Sequence, residues 1–202
     1  MKIKYPLSVF NLVVLFIISV ISCVPPSNVD NTEINASFRD TVWQRVYMLQ
    51  EKQDVPGLLK LIRAKNPTLR YGVALAFASL RDSSALDSIY VLLQDKNLKV
   101  QEAAAYALGQ IGSTKATKAL IMAYDNKDSL NRKIEVNAAI LEAIGKCGSS
   151  DYLKYLATIS TFYSSDSLLI LGQMRGLYRY GLRGITSPEA IRTAPVHARV
   201  RE

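Results

Sequence analysis

The segment VQEAAAYALGQIG, residues 100–112, carries four alanines and two glycines among thirteen positions. Its apolar and small residues recur at offsets 0, 3, 4, 7, 8 and 11 from Val100, which is the stripe of an amphipathic helix. Few of the side chains in this stripe are large. A helix with so small an apolar face buries little surface alone, so we expect it to pack closely against similar helices.

The same stripe recurs along the chain at nearly constant spacing. Copies begin at Leu69, 31 residues before Val100, and at Val136, 36 residues after it, while a looser copy begins at Phe38. Shorter apolar segments alternate with the stripes. They begin at Val55, Leu86 and Thr117. An internal repeat of this length, with two helical segments in each unit, predicts a stack of helix pairs.

Turn-forming residues separate the predicted helices. Asn66-Pro67 and residues 95–97 supply the turn within a pair, whereas Gly112 and Gly148 end one helix before the next begins. Residues 125–133 form a charged insertion. The sequence therefore predicts an all-α fold, a right-handed α-solenoid of helix pairs over residues 38–191, in which small residues let neighbouring helices approach closely.

The longer segment VQEAAAYALGQIGSTKATKALI resembles a HEAT-like repeat of the short type first named for phycobilin lyases. The resemblance covers about residues 38–185 and is weakest at both ends. It implies an armadillo-like helical scaffold that binds a protein or a peptide, and it identifies the architecture far more securely than any activity. Lyase chemistry, which would require a bound bilin, does not follow from it.

The N-terminus has the three parts of an export signal, since Lys2 and Lys4 precede an apolar run that ends before small Ser22. The apolar run is too short for a permanent transmembrane helix. Residues 20–23, Val-Ile-Ser-Cys, resemble the bacterial lipobox, which implies a lipid on Cys23. An ordinary signal peptide with an incidental cysteine is the alternative.

These features divide the N-terminal region into a lipoprotein signal peptide, residues 1–22, and a flexible tether, residues 23–37, rich in proline and asparagine. They predict a membrane-anchored protein of the bacterial cell envelope that faces the periplasm or the exterior. A nucleic-acid partner is not expected there, although arginine and tyrosine could stack on one.

The last quarter of the chain departs from the stripe. The frame that begins at Gly172 gives no buried face, whereas another frame, Leu171, Met174, Tyr178 and Leu182, would face the core. Residues 192–202 are predicted to be a frayed or truncated tail. An exported lipoprotein with such repeats also resembles the N-terminal part of envelope cyclophilin-type peptidyl-prolyl isomerases, so the alternative is a scaffold fragment without its catalytic domain.

Sequence motifs of catalytic sites are scarce. The chain has one histidine, His197, and two cysteines, and it lacks the motifs of zinc proteases, serine hydrolases and P-loop proteins. We therefore expect no enzyme, cofactor or metal site. Cys147 falls on a stripe and is predicted to be core, while Glu102 and Glu142 are predicted to face solvent or cap turns.

A binding surface is better supported than a catalytic one. The C-terminal half interleaves tyrosine with arginine, the usual composition of protein-binding hot spots. The candidate protein-binding residues are Tyr152, Tyr155, Tyr163, Arg175, Tyr178 and Arg179. The net charge of +8 is compatible with an anionic partner or with a solvated basic face.

Overall fold

The computed structural model describes residues 29–128, 130–159 and 166–187, in which all regular structure is helical. The helices of these ranges are α1 (Thr41–Glu51), α2 (Val55–Leu61), α3 (Pro67–Leu80), α4 (Leu86–Leu92), α5 (Leu98–Ile111), α6 (Ala116–Ala123), α7 (Ile134–Cys147), α8 (Leu153–Thr158) and α9 (Ser167–Leu182). Turns of 3-10 helix, Ser83–Ala85 and Ser150–Tyr152, precede α4 and α8. The predicted signal peptide, Cys23, Tyr163, His197 and the tail lie outside the described residues.

The helices form two layers. The odd-numbered helices, 11 to 16 residues long, pack side by side in chain order, so that α3, α5 and α7 each lie between two long neighbours. The even-numbered helices have only 6 to 8 residues. They lie along the other side of the long helices. This stacking confirms the predicted all-α solenoid.

Each repeat consists of a short helix and the long helix that follows it. The helices α4, α6 and α8 all pack more extensively on the following long helix than on the preceding one. Asn66 and Asn97 begin α3 and α5, and the side-chain oxygen of each accepts a hydrogen bond from a main-chain amide two residues on, at 2.9 and 3.0 Å. The turn residues therefore act as helix caps.

The core follows the small-residue stripe. Val100, Ala104, Ala107 and Leu108 of α5 are completely buried, as predicted. A Cβ atom placed on Gly109 would lie 3.0 Å from the Cα atom of Ala143 in α7. The small residues thus allow the backbones of adjacent long helices to approach within contact distance, which is why the stripe is poor in large side chains.

The predicted core frame of α9 is wrong. Leu171, Met174, Tyr178 and Leu182 are 43%, 45%, 64% and 61% exposed. The sequence predicts no buried face for the frame that begins at Gly172. This frame nevertheless supplies much of the contact with α7, because Gly172 and Gly176 let the two helix backbones approach closely. The buried residues of α9 are Leu169, Gly172, Gln173, Gly176, Leu177 and Tyr180.

The first helix begins later than its apolar stripe predicts. The first helix begins at Thr41, and Phe38, the predicted start of its stripe, is 70% exposed. Asp40 caps this helix by accepting a 2.7 Å hydrogen bond from the Val42 amide.

Cys147 is completely buried, which confirms its core position. Within the described ranges, none of the helices combines the length and apolarity required to cross a membrane.

Candidate functional site

An open groove runs across the layer of long helices. Its volume is about 920 Å³, and it is lined by α3, α5, α7, α9 and the N-terminal segment 29–36. Small residues line the groove on three of these helices. They are Ala103, Ala138, Ala139 and Gly172. Tyr106 and Leu168, 44% and 37% exposed, border the groove with larger apolar surface.

Residues 29–36, which we call the docked segment, lie against the long helices without forming a helix themselves. The Asp30 amide donates to the carbonyl of Lys96 at 2.9 Å. In return, Nδ2 of Asn97 donates to the carbonyls of Asp30 and Thr32, at 3.0 and 2.9 Å. These bonds involve only the main chain of the docked segment.

Asn97 performs two tasks at once. Its side-chain oxygen caps α5, while its side-chain nitrogen binds the docked segment. The residue is only 3% exposed, so all of these hydrogen bonds are shielded from water. Farther along, the Asn35 amide donates to Oγ1 of Thr68 at 3.2 Å, and Ile34 packs on the core. The second half of the predicted flexible tether is therefore held on the repeats, a correction that follows from these contacts.

Arg70 links two successive repeats beneath the docked segment. Its Nε and Nη2 atoms donate to the two carboxylate oxygens of Asp95, at 2.6 and 2.8 Å, and its Nη1 atom donates to the carbonyls of Ala64 and Lys65. Such a two-point contact fixes the relative position of the two loops. The Asp30 carboxylate lies 3.8 Å from Nη2 of Arg70.

The carboxylate of Asp30 is also held locally. Both the hydroxyl and the amide of Thr32 donate to it. These hydrogen bonds, together with the charges of Arg70 and Lys96, lower the pKa of Asp30. The docked segment therefore carries a negative charge next to Arg70, the residue that joins the two repeats.

A charged cluster lies at the other end of the groove. Glu142 is bonded to Lys146 at 2.9 Å, and its carboxylate lies 3.8 Å from Arg175 and 3.6 Å from Arg179. Burial alone would raise the pKa of Glu142, but the bond from Lys146 and the three positive charges outweigh it and lower that pKa. Nζ of Lys146 also lies 5.2 Å from the centre of the Tyr106 ring. Glu142 thus neutralises cations, rather than acting as the predicted solvent-facing or turn-capping residue.

The structure separates the candidate binding residues into two groups. Arg175, Tyr178 and Arg179 lie together on α9, in the layer of long helices. Tyr152 lies in a 3-10 turn and Tyr155 in α8, among the short helices, where Tyr155 packs on the core. Of these five described candidates, only Arg175 lines the groove.

Sequence reasoning missed Asn97, Arg70 and Tyr106 as site residues. The sequence pattern assigns Asn97 only to a turn. Its counterpart Asn66 stands 31 residues earlier at the equivalent cap, and the residues that follow the two asparagines, Pro67 and Leu98, do not indicate a contact with residues 29–36. The distinguishing contact joins residues that are 67 positions apart in the chain.

The groove is lined by charged and aromatic side chains, among them Lys99, Glu102 and Tyr106. Among the residues of the described ranges, no group of three or more histidine, cysteine, aspartate or glutamate side chains is placed to hold a metal ion. Burial raises the pKa of the Cys147 thiol, whose sulfur lies 3.8 Å from the hydroxyl of Thr117 inside the core. A thiol in this setting is a packing group.

Comparison with known proteins agrees with the architecture. Residues 55–135 match the family model of HEAT repeats, from the first residue of α2 to the first turn of α7. A search of curated proteins finds no match to the chain. HEAT repeats commonly mediate protein interactions. The stacked helix pairs show an α-solenoid fold, and residues 55–135 of the chain are similar to HEAT repeats.

Proposed function

We propose that the groove binds an extended segment of a partner protein, and that the chain is a non-catalytic scaffold. The observation that carries this proposal is the contact between Asn97 and two main-chain carbonyls of the docked segment. The surface already holds one extended polypeptide through its backbone. A second extended segment would find the remaining open volume of the groove beside it.

The lining of the groove suits a peptide. Buried small residues let a main chain approach the helices, Tyr106 and Leu168 provide apolar contact, and charged groups of both signs stand at the margin. Lys99 and Glu102 form an ion pair at 2.9 Å, whereas Glu135 is exposed. Polar side chains that border a mainly apolar groove provide orientation and specificity.

Site-specific photocrosslinking tests this function. A photoreactive phenylalanine analogue replaces Tyr106 in the groove and, as the matched control, the exposed Met122 of α6, none of whose residues line the groove. We expect adducts with partner proteins at position 106 and none at position 122. Equal adducts at both positions would contradict the proposal, because they would show contact without selection by the groove.

We also propose that this scaffold is anchored by a lipid on Cys23 and faces the periplasm or the exterior of a bacterial cell. The support is the sequence of residues 1–23, with its basic start, apolar run and lipobox-like end. Labelling of cells with a palmitate analogue should mark the wild-type chain and leave Cys23→Ala unmarked. Equal labelling of the two would eliminate the anchor without affecting the proposed groove.

A further inference from the structure

The last described long helix, α9, repeats the geometry of the preceding long helix, α7. Buried positions of α7 and α9 correspond at a separation of 33 residues. The pairs are Val136 and Leu169, Ile140 and Gln173, Ile144 and Leu177, and Cys147 and Tyr180. This alignment identifies which positions of α9 would face a further long helix.

In α7, the positions that face the following long helix are Ala138, Leu141 and Gly145. A Cβ atom on Gly172 would lie 2.5 Å from the Ala138 carbonyl oxygen, one on Gly176 would overlap the carbonyl of Leu141, and one on Gly145 would overlap the backbone of Gly176. These three positions thus belong to the contact surface of α7 toward α9.

Thirty-three residues later, the same three positions are Leu171, Met174 and Tyr178, which are 43%, 45% and 64% exposed. Leu182, one turn beyond Tyr178, is 61% exposed. Within the described part of the chain, nothing covers these four side chains, which we call the open face of α9. An apolar stripe of this kind on a helix is a surface for another helix.

The residues of this face differ from those used between repeats. Gly145 in α7 and Gly109 in α5 occupy the position that Tyr178 occupies in α9, and both glycines touch the next helix. A tyrosine there prevents the same close approach of backbones. A helix on the open face must therefore pack through large side chains, as in contacts between different proteins rather than between successive repeats.

The charge around the open face favours an acidic partner. Helix α9 contains no aspartate or glutamate, and Arg175 lies on the same side as Leu171 and Tyr178, with 57% of its side chain exposed. Arg175 shares Glu142 with Arg179 and Lys146, so the cluster holds more positive than negative charge. Carboxylates beside the apolar stripe of a partner would complement it.

A second copy of the chain lacks this complementarity. Two open faces placed together would bring two clusters of net positive charge to one interface, each with its Arg175. At the opposite end of the solenoid, the surface formed by α1 and its C-cap presents Arg45, Met48 and Lys52, which again adds positive charge. We propose that the open face of α9 binds an amphipathic helix of another protein, one with acidic residues flanking its apolar stripe.

A stapled amphipathic helix with glutamates beside a leucine stripe serves as the probe, and the same helix with lysines in place of the glutamates is its control. Binding to the full-length chain is measured by fluorescence anisotropy, with the same non-ionic detergent in every sample. We expect at least tenfold tighter binding of the acidic helix. Equal binding of the two helices would overturn the proposal.

Variants then locate the site. Met174→Asp should weaken binding of the acidic helix at least tenfold, whereas Met122→Asp, at an exposed methionine of α6, should leave it unchanged. Arg175→Glu should reverse the preference toward the lysine helix, a result that general destabilisation cannot produce. An equal loss in Met174→Asp and Met122→Asp, or an unchanged preference in Arg175→Glu, would contradict the assignment.

Two further measurements test whether a different occupant covers the open face of α9. Sedimentation that shows a dimer, converted to a monomer by Met174→Asp, would assign the face to a second copy. A tenfold gain in probe affinity after removal of residues 188–202 would assign it to the chain's own tail. Either result overturns the proposal, and a monomer whose affinity is unchanged by the truncation supports it.

Discussion

Single small residues set the spacing of this solenoid. At Gly145 and Gly172 the backbone of one long helix lies against the backbone of the next, with no room for a Cβ atom. Gly181 lies near the end of α9, and a Cβ atom there would meet nothing within 4 Å. Glycine is therefore required where two long helices are in contact, whereas a glycine that meets no neighbour can be replaced.

Gly145→Ala should lower the free energy of unfolding by about 2 kcal/mol or more, because the new methyl group overlaps the backbone of Gly176. Gly181→Ala is the matched control. It should raise that free energy by up to about 1 kcal/mol, since alanine is the better helix former and meets no neighbour. Urea denaturation measures both, and a loss of equal size in the two variants would contradict the contact argument.

A left-handed residue ends both α3 and α5. Gly112 has φ 74°, whereas Arg81, 31 residues earlier, has φ 53°. A side chain in this region costs about 1 kcal/mol, so Arg81→Gly should increase the free energy of unfolding by about that amount. Gly112→Ala should decrease it by a similar amount. An unchanged urea midpoint for both variants would show that the turns relax at no cost.

Two tyrosines, Tyr180 buried and Tyr124 partly buried, make stability depend on alkaline pH. Burial raises the pKa of Tyr124 and of Tyr180 to about 12. The unfolded chain loses these protons near pH 10, so the contribution is complete below pH 10 and is lost between pH 10 and 12. Tyr180→Phe should reduce the fall in unfolding free energy between pH 10 and 11.5 by about 1 kcal/mol.

The measurement is urea denaturation across that pH range. Tyr178→Phe changes an exposed tyrosine on the same helix and is the control. Its pH profile should follow that of the wild type. A profile of Tyr180→Phe that also follows the wild type would exclude Tyr180 as a source of the pH dependence.

At the scale of elements, the structure joins segments that are distant in sequence. The docked segment is bound to the start of α5 through Asn97, and α9 is bound to the end of α8 through Gln173, whose side-chain nitrogen donates to the carbonyls of Leu156 and Ile159 at 2.8 Å. Tyr180 donates in the same way to the Ser149 carbonyl at 3.0 Å. Polar side chains thus attach the long helix α9 to the short helix of its own repeat and to the loop that precedes that short helix.

Asn97→Asp should release the docked segment while leaving α5 intact. The aspartate keeps the oxygen that caps the helix but removes the donor to the Asp30 and Thr32 carbonyls. Hydrogen exchange at Asp30, whose amide is bonded to Lys96, should then accelerate at least tenfold. Asn66→Asp, at the equivalent cap of α3, should not change it, because the hydrogen bond of the Asn66 side chain is to the Thr68 amide and not to Asp30 or Thr32.

In the whole molecule, stability comes from contacts between neighbours. Each interior long helix is covered on two sides by other long helices, and the short helices have too few residues to persist alone. The repeats also share Arg70 and Asp95, an ion pair across two successive loops. The solenoid is therefore expected to fold as a group of repeats.

A peptide of residues 86–111, which contains α4 and α5 alone, should show no cooperative thermal transition by circular dichroism. The full chain should unfold cooperatively under the same conditions, because its long helices are buried between neighbours. A cooperative transition in the peptide would show that a single repeat is sufficient, and stacking would then no longer explain the small-residue stripe.

Local sequence patterns are enough to specify the helix pairs, their spacing and their caps, because apolar periodicity, asparagine caps and terminal glycines act within a few residues. Val100, Ala104 and Leu108 are buried as this pattern predicts. The orientation of α9 was not predictable in this way, since Gly172 and Gly176 have no apolar side chain and are buried only because α7 lies against them.

The surfaces available for binding depend on tertiary contacts instead. Asn66 and Asn97 are equivalent in the repeat, and the docked segment that distinguishes them lies more than 60 positions away from Asn97. The groove likewise combines residues of four long helices. Local patterns determine the helices because the interactions that form a helix join residues that are close in sequence. The groove and the open face of α9 arise instead from the packing of segments that are far apart in the chain.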